Sequence, residues 1–322
     1  MMDVAVSLPP ILAVVLGLVG PALGRAMRPA LTVRLLPIAG VVVALGTGFS
    51  LAIVAFYLLG HASEVAELGR WSVRAVPSPA GLPWPAGIAV AAGVAVLLLA
   101  AVRHAARAGY RLWLADGLCR RLAPNCDDPR TVVVDDERPD AYAVAGVRGR
   151  IVVSTAMLAA LGREERAVLF AHESAHLTHR HYLWVQLAEI AAAANPMLRT
   201  LPAVVQRAAE LWADEDAARA VGDRRLAARA IARAALASSR TPGDQNPVRS
   251  VTPGLTATGG DVPHRVQALL APPRRRWAPA ATAGLALLAI TVLGASTITA
   301  HLTERTFEHA QAVDTHSVTA RR

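Results

Sequence analysis

The residues best suited to chemistry lie in one stretch, Ala167–Tyr182, AVLFAHESAHLTHRHY. It contains His172-Glu173-Ser174-Ala175-His176, an H-E-x-x-H pattern. On a helix, residues four apart lie one above the other on the same face. His172 and His176 can therefore aim two imidazole nitrogens at one metal ion. Glu173 stands beside the first of them and can reach a water at an open coordination position and take its proton. Two His ligands, a Glu base and an open position form the arrangement of a zinc peptidase.

Two histidines do not complete a catalytic zinc site; a third protein ligand is needed. His179 follows His176 by three residues and shares its face. On one straight helix it sits roughly a turn too far along, at a rise of about 1.5 Å per residue. Glu210, in Glu210-Leu-Trp-Ala-Asp214, is the better candidate. It stands on a second expected helix, with Asp214 one turn on and facing the same way. Acidic pairs of this kind usually form a solvated helix face. Beside H-E-x-x-H, the favoured reading is Glu210 as third ligand and Asp214 as the group that accepts a hydrogen bond from a ligand His.

The elements that must position these residues belong to an unusually apolar chain. Of 322 residues, 54% are hydrophobic and 18% charged, and the mean hydropathy is +0.38. These values fit an integral membrane protein. The net charge is +9, with Arg greatly outnumbering Lys. Aromatics are only 4%, and no RNA-type motif interleaves them with the basic residues, so a nucleic-acid partner is not expected. The basic residues instead flank apolar runs.

Four such runs are expected to cross the bilayer, at about 4–23, 35–59, 84–102 and 277–300. Each is long enough for a hydrocarbon core of about 30 Å, which takes around 20 helical residues. The first has no basic leader region and no clear cleavage site, so it reads as an uncleaved span. Arg25, Arg28 and Arg34 follow it, Arg103, Arg107 and Arg111 follow the third, and Arg274-Arg275-Arg276 precede the fourth. The positive-inside rule puts these segments in the cytoplasm and both termini outside. The expected fold is mainly α and membrane-embedded. A membrane region of three spans (1–107) leads into a cytoplasmic α+β zincin-like metallopeptidase domain (108–275), then a fourth span and a short tail (301–322).

Within 108–275, Thr131–Val134, Ala141–Ala145 and Ile151–Ser154 read as strands, the last two joined by a turn at Gly146–Gly149. Thr155–Leu161 reads as a helix ending at Gly162. Arg163–Tyr182 reads as one long helix carrying the motif. The apolar stretch Leu183–Ala194 is assigned equally to the membrane surface or the core. Leu201–Val221 and Arg224–Ser239 read as helices, 239–263 as a flexible connection and His264–Leu270 as a last short helix. Cys119 and Cys126 are expected to be free thiols, C-x6-C being a poor zinc spacing.

HESAH followed some thirty residues later by ELWAD resembles the gluzincin-type membrane peptidases. These include the CAAX prenyl proteases, the heat-shock membrane protease and the β-lactam-sensing BlaR/MecR-type peptidases. AYAVAGVRGRIVVST resembles the strand region these families place over the active-site cleft. Asn195-Pro196 and the layout of three spans, peptidase and fourth span resemble the BlaR/MecR type in particular. The resemblance implies one zinc ion per chain, held by His172, His176 and Glu210, with Glu173 as general base and Asp214 in support. It departs from the sensor members at the end: about twenty residues follow the fourth run and contain no S-x-x-K. Sensing through an appended penicillin-binding domain is therefore not expected.

The expected activity is hydrolysis of peptide bonds in a protein substrate by a multi-pass plasma-membrane metalloprotease. Glu173 takes a proton from water and passes it to the leaving amine. An extended substrate is expected to pair with the strand at Ala141–Ala145 or at Ile151–Ser154. His179, His181 and Tyr182 are weighed as oxyanion partners, and a solvated helix end is the expected role for each. A repressor-type transcription factor is one expected substrate, membrane proteins under quality control another. A non-catalytic membrane signalling scaffold is a third reading, disfavoured by the intact base.

Overall fold

The computed structural model describes residues 2–76, 82–121, 130–146, 149–239, 262–272 and 279–319, with side chains for all of these except 118–121 and 314–319. In chain order, α1 is Met2–Ala26, α2 Pro29–Leu59, α3 Ser63–Gly69 and α4 Pro85–Arg121. Strands β1 (Thr131–Val134), β2 (Ala141–Val144) and β3 (Arg150–Ser154) follow. Next come α5 (Thr155–Ala160), α6 (Arg163–Thr178), α7 (His181–Ala194), α8 (Leu201–Val221) and α9 (Arg224–Ser239). The chain closes with α10 (Val262–Leu270) and α11 (Pro279–Thr319).

Helices α1, α2, α4 and α11 are long and apolar enough to cross a membrane, by length and composition. They are longer than the apolar runs that mark them, because a helix continues into polar sequence wherever nothing stops it. The segment read as a short tail is an example. Helix α11 runs on to Thr319, and its Phe307 packs on Phe56, Tyr57 and Trp71 at ring-centroid distances of 4.6, 5.4 and 4.8 Å.

Helix α6 sits between the small sheet and the helices α8 and α9. The sheet has the order β1-β3-β2, with β1 parallel and β2 antiparallel to β3. Helix α6 packs on β2 and β3 on one side, and on α8 and α9 on the other. Ser154 joins the sheet to α5: its Oγ accepts from the Met157 N–H at 3.1 Å and from the Asp140 N–H at 2.9 Å. Helix α5 ends just before Gly162, with Leu161 at its C-cap, and Gly162 also caps α6, its N–H donating to the Glu165 carboxylate at 2.9 Å.

The expected single helix over 163–182 is two helices. Helix α6 stops at Thr178, Arg180 takes the left-handed conformation (φ 51°), and α7 restarts at His181. Helix α7 then packs on α2 and α4, so the stretch left open between membrane surface and core lies among the apolar helices. Its Ala188 and Ala191 are buried with Leu16, Leu36, Val43, Leu198 and Leu201. At the α7–α8 turn, Asn195 Oδ1 accepts from the Met197 N–H at 3.1 Å, and Thr200 Oγ1 donates to the Gly17 carbonyl of α1 at 2.8 Å. Cys126, Arg274–Arg276 and most of the expected flexible connection fall outside the described residues.

Candidate metal centre

Packing of α6 on α8 brings His172, His176 and Glu210 to one point, all buried. His172 Nε2 and His176 Nε2 are 3.1 Å apart. Glu210 Oε2 is 3.6 Å from the first and Oε1 3.7 Å from the second. A tetrahedral zinc with ligand bonds of about 2.0–2.1 Å separates its donor atoms by about 3.3 Å. The triangle therefore fits a zinc ion. The donor chemistry fits too: Glu210 Oε1 is buried with no hydrogen-bond partner, a costly state that a cation would relieve.

A charged surround holds the triangle. Asp214, one turn after Glu210, places Oδ1 3.0 Å from His172 Nδ1. Asp214 is itself clamped by Arg265 of α10, whose Nε donates to Oδ2 at 2.7 Å and Nη2 to Oδ1 at 2.6 Å. Arg265 Nη1 also stands 3.0 Å from Glu210 Oε2. Burial works against charge on each group, and the neighbours decide the outcome. Arg265 holds the Asp214 carboxyl below the usual range against burial. Glu210 is likewise lowered against burial, by His172, His176 and Arg265. Burial lowers the pKa of His172, but the Asp214 and Glu210 carboxylates override it and raise it to about 10. Burial lowers that of His176 to about 4.

Behind His176 stands His181, fully buried, with the two Nδ1 atoms 2.9 Å apart. Burial, with His176 and His179 beside it, pushes the pKa of His181 down to about 2, so it is neutral. One ring must donate across this contact and the other accept. Were His176 Nε2 to hold a metal ion, His176 Nδ1 would carry the proton and His181 Nδ1 would accept it.

Glu173 is buried beside the triangle, on the helix that packs against β2. Burial first, then the Glu210 charge, raises its pKa, which suits a group that must accept a proton near neutrality. A cavity of about 50 Å³ opens beside His172 and Glu173, with Met157, Val168, Leu169 and Ile231 among its apolar walls.

All five sequence-derived residues, His172, Glu173, His176, Glu210 and Asp214, thus meet in one place. His179 does not join them. It stacks on Trp212 at 4.0 Å and pairs with Asp216 at 2.6 Å. Two neighbours were not read correctly from the sequence. His181 is no solvated helix end; the HRH run made it visible, but the single-helix reading turned it outward. Arg265 gave no signal, being an isolated Arg 51 residues beyond Asp214. The strand reading is corrected as well: β3 is central, so Ile151–Ser154 cannot accept an added strand, and only β2 lies at the edge near α6.

Residues 117–200 match the model of Peptidase family M48. A protein described as a Protease HtpX homolog from Thermodesulfovibrio yellowstonii is 26% identical over 171 residues, which is 40% of this chain and 61% of that relative. Another so described, from Acidiphilium cryptum, is 35% identical over 75 residues, 23% of this chain and 26% of the relative. The chain therefore covers less than two thirds of the length of either relative. No solved structure matches it. The matched segment carries the H-E-x-x-H helix and ends before Glu210, which the structure adds to the same site. Over residues 117–200 the chain is thus similar to Peptidase family M48, and over part of its length to proteins described as Protease HtpX homologs.

Proposed function

We propose that this protein is a membrane-anchored zinc endopeptidase that cleaves protein substrates. The observation that carries the proposal is the buried His172–His176–Glu210 triangle with Glu173 beside it. A zinc ion bound there would polarise a peptide carbonyl and make a water molecule more acidic. Glu173 is the proton carrier, taking a proton from the attacking water and handing it to the leaving amine.

Strand β2 is the substrate-binding edge. Its neighbour β3 takes the Asp140 carbonyl through the Ser154 N–H at 2.9 Å. In an antiparallel pair this alternation turns the backbone groups of Ala141 and Ala143 away from β3. An extended peptide can add there, with one apolar side chain entering the cavity beside Glu173. Arg placement supports a cytoplasmic peptidase region between α4 and α11, with both chain ends outside.

Quality control of membrane proteins is the substrate reading that the HtpX-homolog relatives favour over repressor cleavage. The test is a Glu173→Gln protein. It keeps wild-type zinc content and loses cleavage by on the order of 10²–10⁴-fold. Equal cleavage by variant and wild type would sink the assignment. Comparing new N-termini in membranes holding active or Glu173→Gln protein then separates the roles. Many cleaved membrane proteins support quality control; a single cleaved transcription factor overturns it.

A further inference from the structure

We propose that the chain has a built site for an acidic glycerophospholipid, in a groove between α4 and the α6–α7 corner. Two observations meet there. The first is Arg150 at the start of β3. It is only 6% exposed, and its Nε and Nη1 are buried with no hydrogen-bond partner. Two buried guanidinium nitrogens without acceptors are costly and call for an anion. Arg150 lines a cavity of about 970 Å³ together with Arg130, Arg180, Ser174 and Trp113, three guanidinium groups against the one carboxylate of Asp116.

The second is a neighbouring cavity of about 740 Å³ that shares Leu112, Thr178 and Arg180 with the first. Its walls are apolar faces of α4 and α7, including Ala105, Ala108, Leu187 and Ile190. One continuous groove thus offers an apolar slot that opens onto a cationic pocket. That is the shape and polarity of a phospholipid, with acyl chain in the slot and phosphodiester on the guanidinium, which suits it geometrically. Free phosphate would leave the apolar half unused.

The setting agrees. After its apolar run, α4 carries Arg103, Arg107 and Arg111, and its exposed Tyr110 and Trp113 stack at 6.0 Å. Such a basic and aromatic band marks the headgroup level of a bilayer. Arg180, which touches both cavities, is one of two non-glycine residues held at positive φ among the described residues. A substrate peptide is the less favoured occupant. Ser174, two residues from His172, faces the groove from the side of α6 turned away from the metal triangle. A lipid here would brace the motif helix from behind.

The test reads binding, so it stands whether or not the chain cleaves peptides. Full-length protein in detergent is titrated with short-chain phosphatidylglycerol, short-chain phosphatidylcholine and inorganic phosphate. Wild type should bind phosphatidylglycerol on the order of tenfold more tightly than phosphatidylcholine, and Arg150→Leu should lose that preference. Gly109→Phe fills the apolar slot, where an added Cβ meets nothing within 4 Å, and should weaken both lipids alike with zinc content unchanged. This second variant serves if Arg150→Leu fails to fold. The proposal is overturned by equal affinity for the two headgroups, by an unchanged preference in Arg150→Leu, or by undiminished lipid binding in Gly109→Phe. Inorganic phosphate binding as tightly as the lipid, or a peptide substrate displacing the lipid, overturns it too.

Discussion

Replacing Arg265 by Met tests the electrostatic design of the centre. Arg265 is 5% exposed and donates two short hydrogen bonds to Asp214, with a third nitrogen 3.0 Å from Glu210. Met fills similar volume without charge. Two buried carboxylates then lose their shared cation, a change that costs about 3–5 kcal/mol when one partner of a buried pair is removed. A divalent ion restores positive charge at Glu210, so the loss should be largest in chelated protein and smaller with zinc. The assay is unfolding of detergent-solubilised protein followed by tryptophan fluorescence, with and without chelator. Trp212 packs on His179 and His181 beside the centre and should report its loss. Zinc should stabilise Arg265→Met by more than it stabilises wild type. A chelated variant within about 1 kcal/mol of wild type would refute the reasoning, because it would mean that the carboxylates do not depend on this guanidinium.

Further outcomes follow from other contacts. His181→Phe removes the neutral acceptor behind His176 and should weaken zinc binding about 10–100-fold, measured by competition with a chromogenic chelator. Asp214→Asn should weaken it over a similar range of about 10–100-fold, since it loses the charge facing His172 Nδ1. Glu165 anchors the start of the motif helix. Burial opposes its charge, but the Gly162 N–H and Arg233 hold its carboxyl below the usual range. That contribution is present above the ordinary carboxylate pKa of about 4.3 and is lost as pH falls through the lower folded value, so Glu165→Gln should flatten the acid limb of stability against pH. Gly17→Ala would put a Cβ 2.0 Å from the Met197 carbonyl and should cost about 1–3 kcal/mol of thermal stability. Gly48→Ala, inside α2, meets nothing within 4 Å and should raise stability by about 0.5–1 kcal/mol.

Much of the centre is legible in the chain because it rests on helical periodicity. His172 and His176 lie one turn apart on α6, as do Glu210 and Asp214 on α8, and a period of 3.6 places each pair on one face wherever the helices go. The apolar runs announce the long helices in the same way, since about 20 apolar residues are enough to recognise one. The helix ends are less legible. Gly162 reads only as a stop but is also a start, because Glu165 three residues on supplies the acceptor for its N–H. Nothing in THRHY marks Arg180 as left-handed, since that conformation is disfavoured for Arg and holds only where the surrounding packing fixes it.

By itself the sequence determined which residue types could bind a metal, which faces they share and which segments are apolar enough for a membrane, because these depend on local spacing and composition. Only the tertiary structure decided what meets across elements. It brought Glu210 within 3.7 Å of both histidines and set Arg265 of α10 over two acidic residues of α8. It turned His181 back onto His176 and made β2, not β3, the edge strand near α6. These contacts join residues far apart in the chain or across a helix break. Their energy comes from burial and desolvated charge, which exist only once the helices and the sheet have packed.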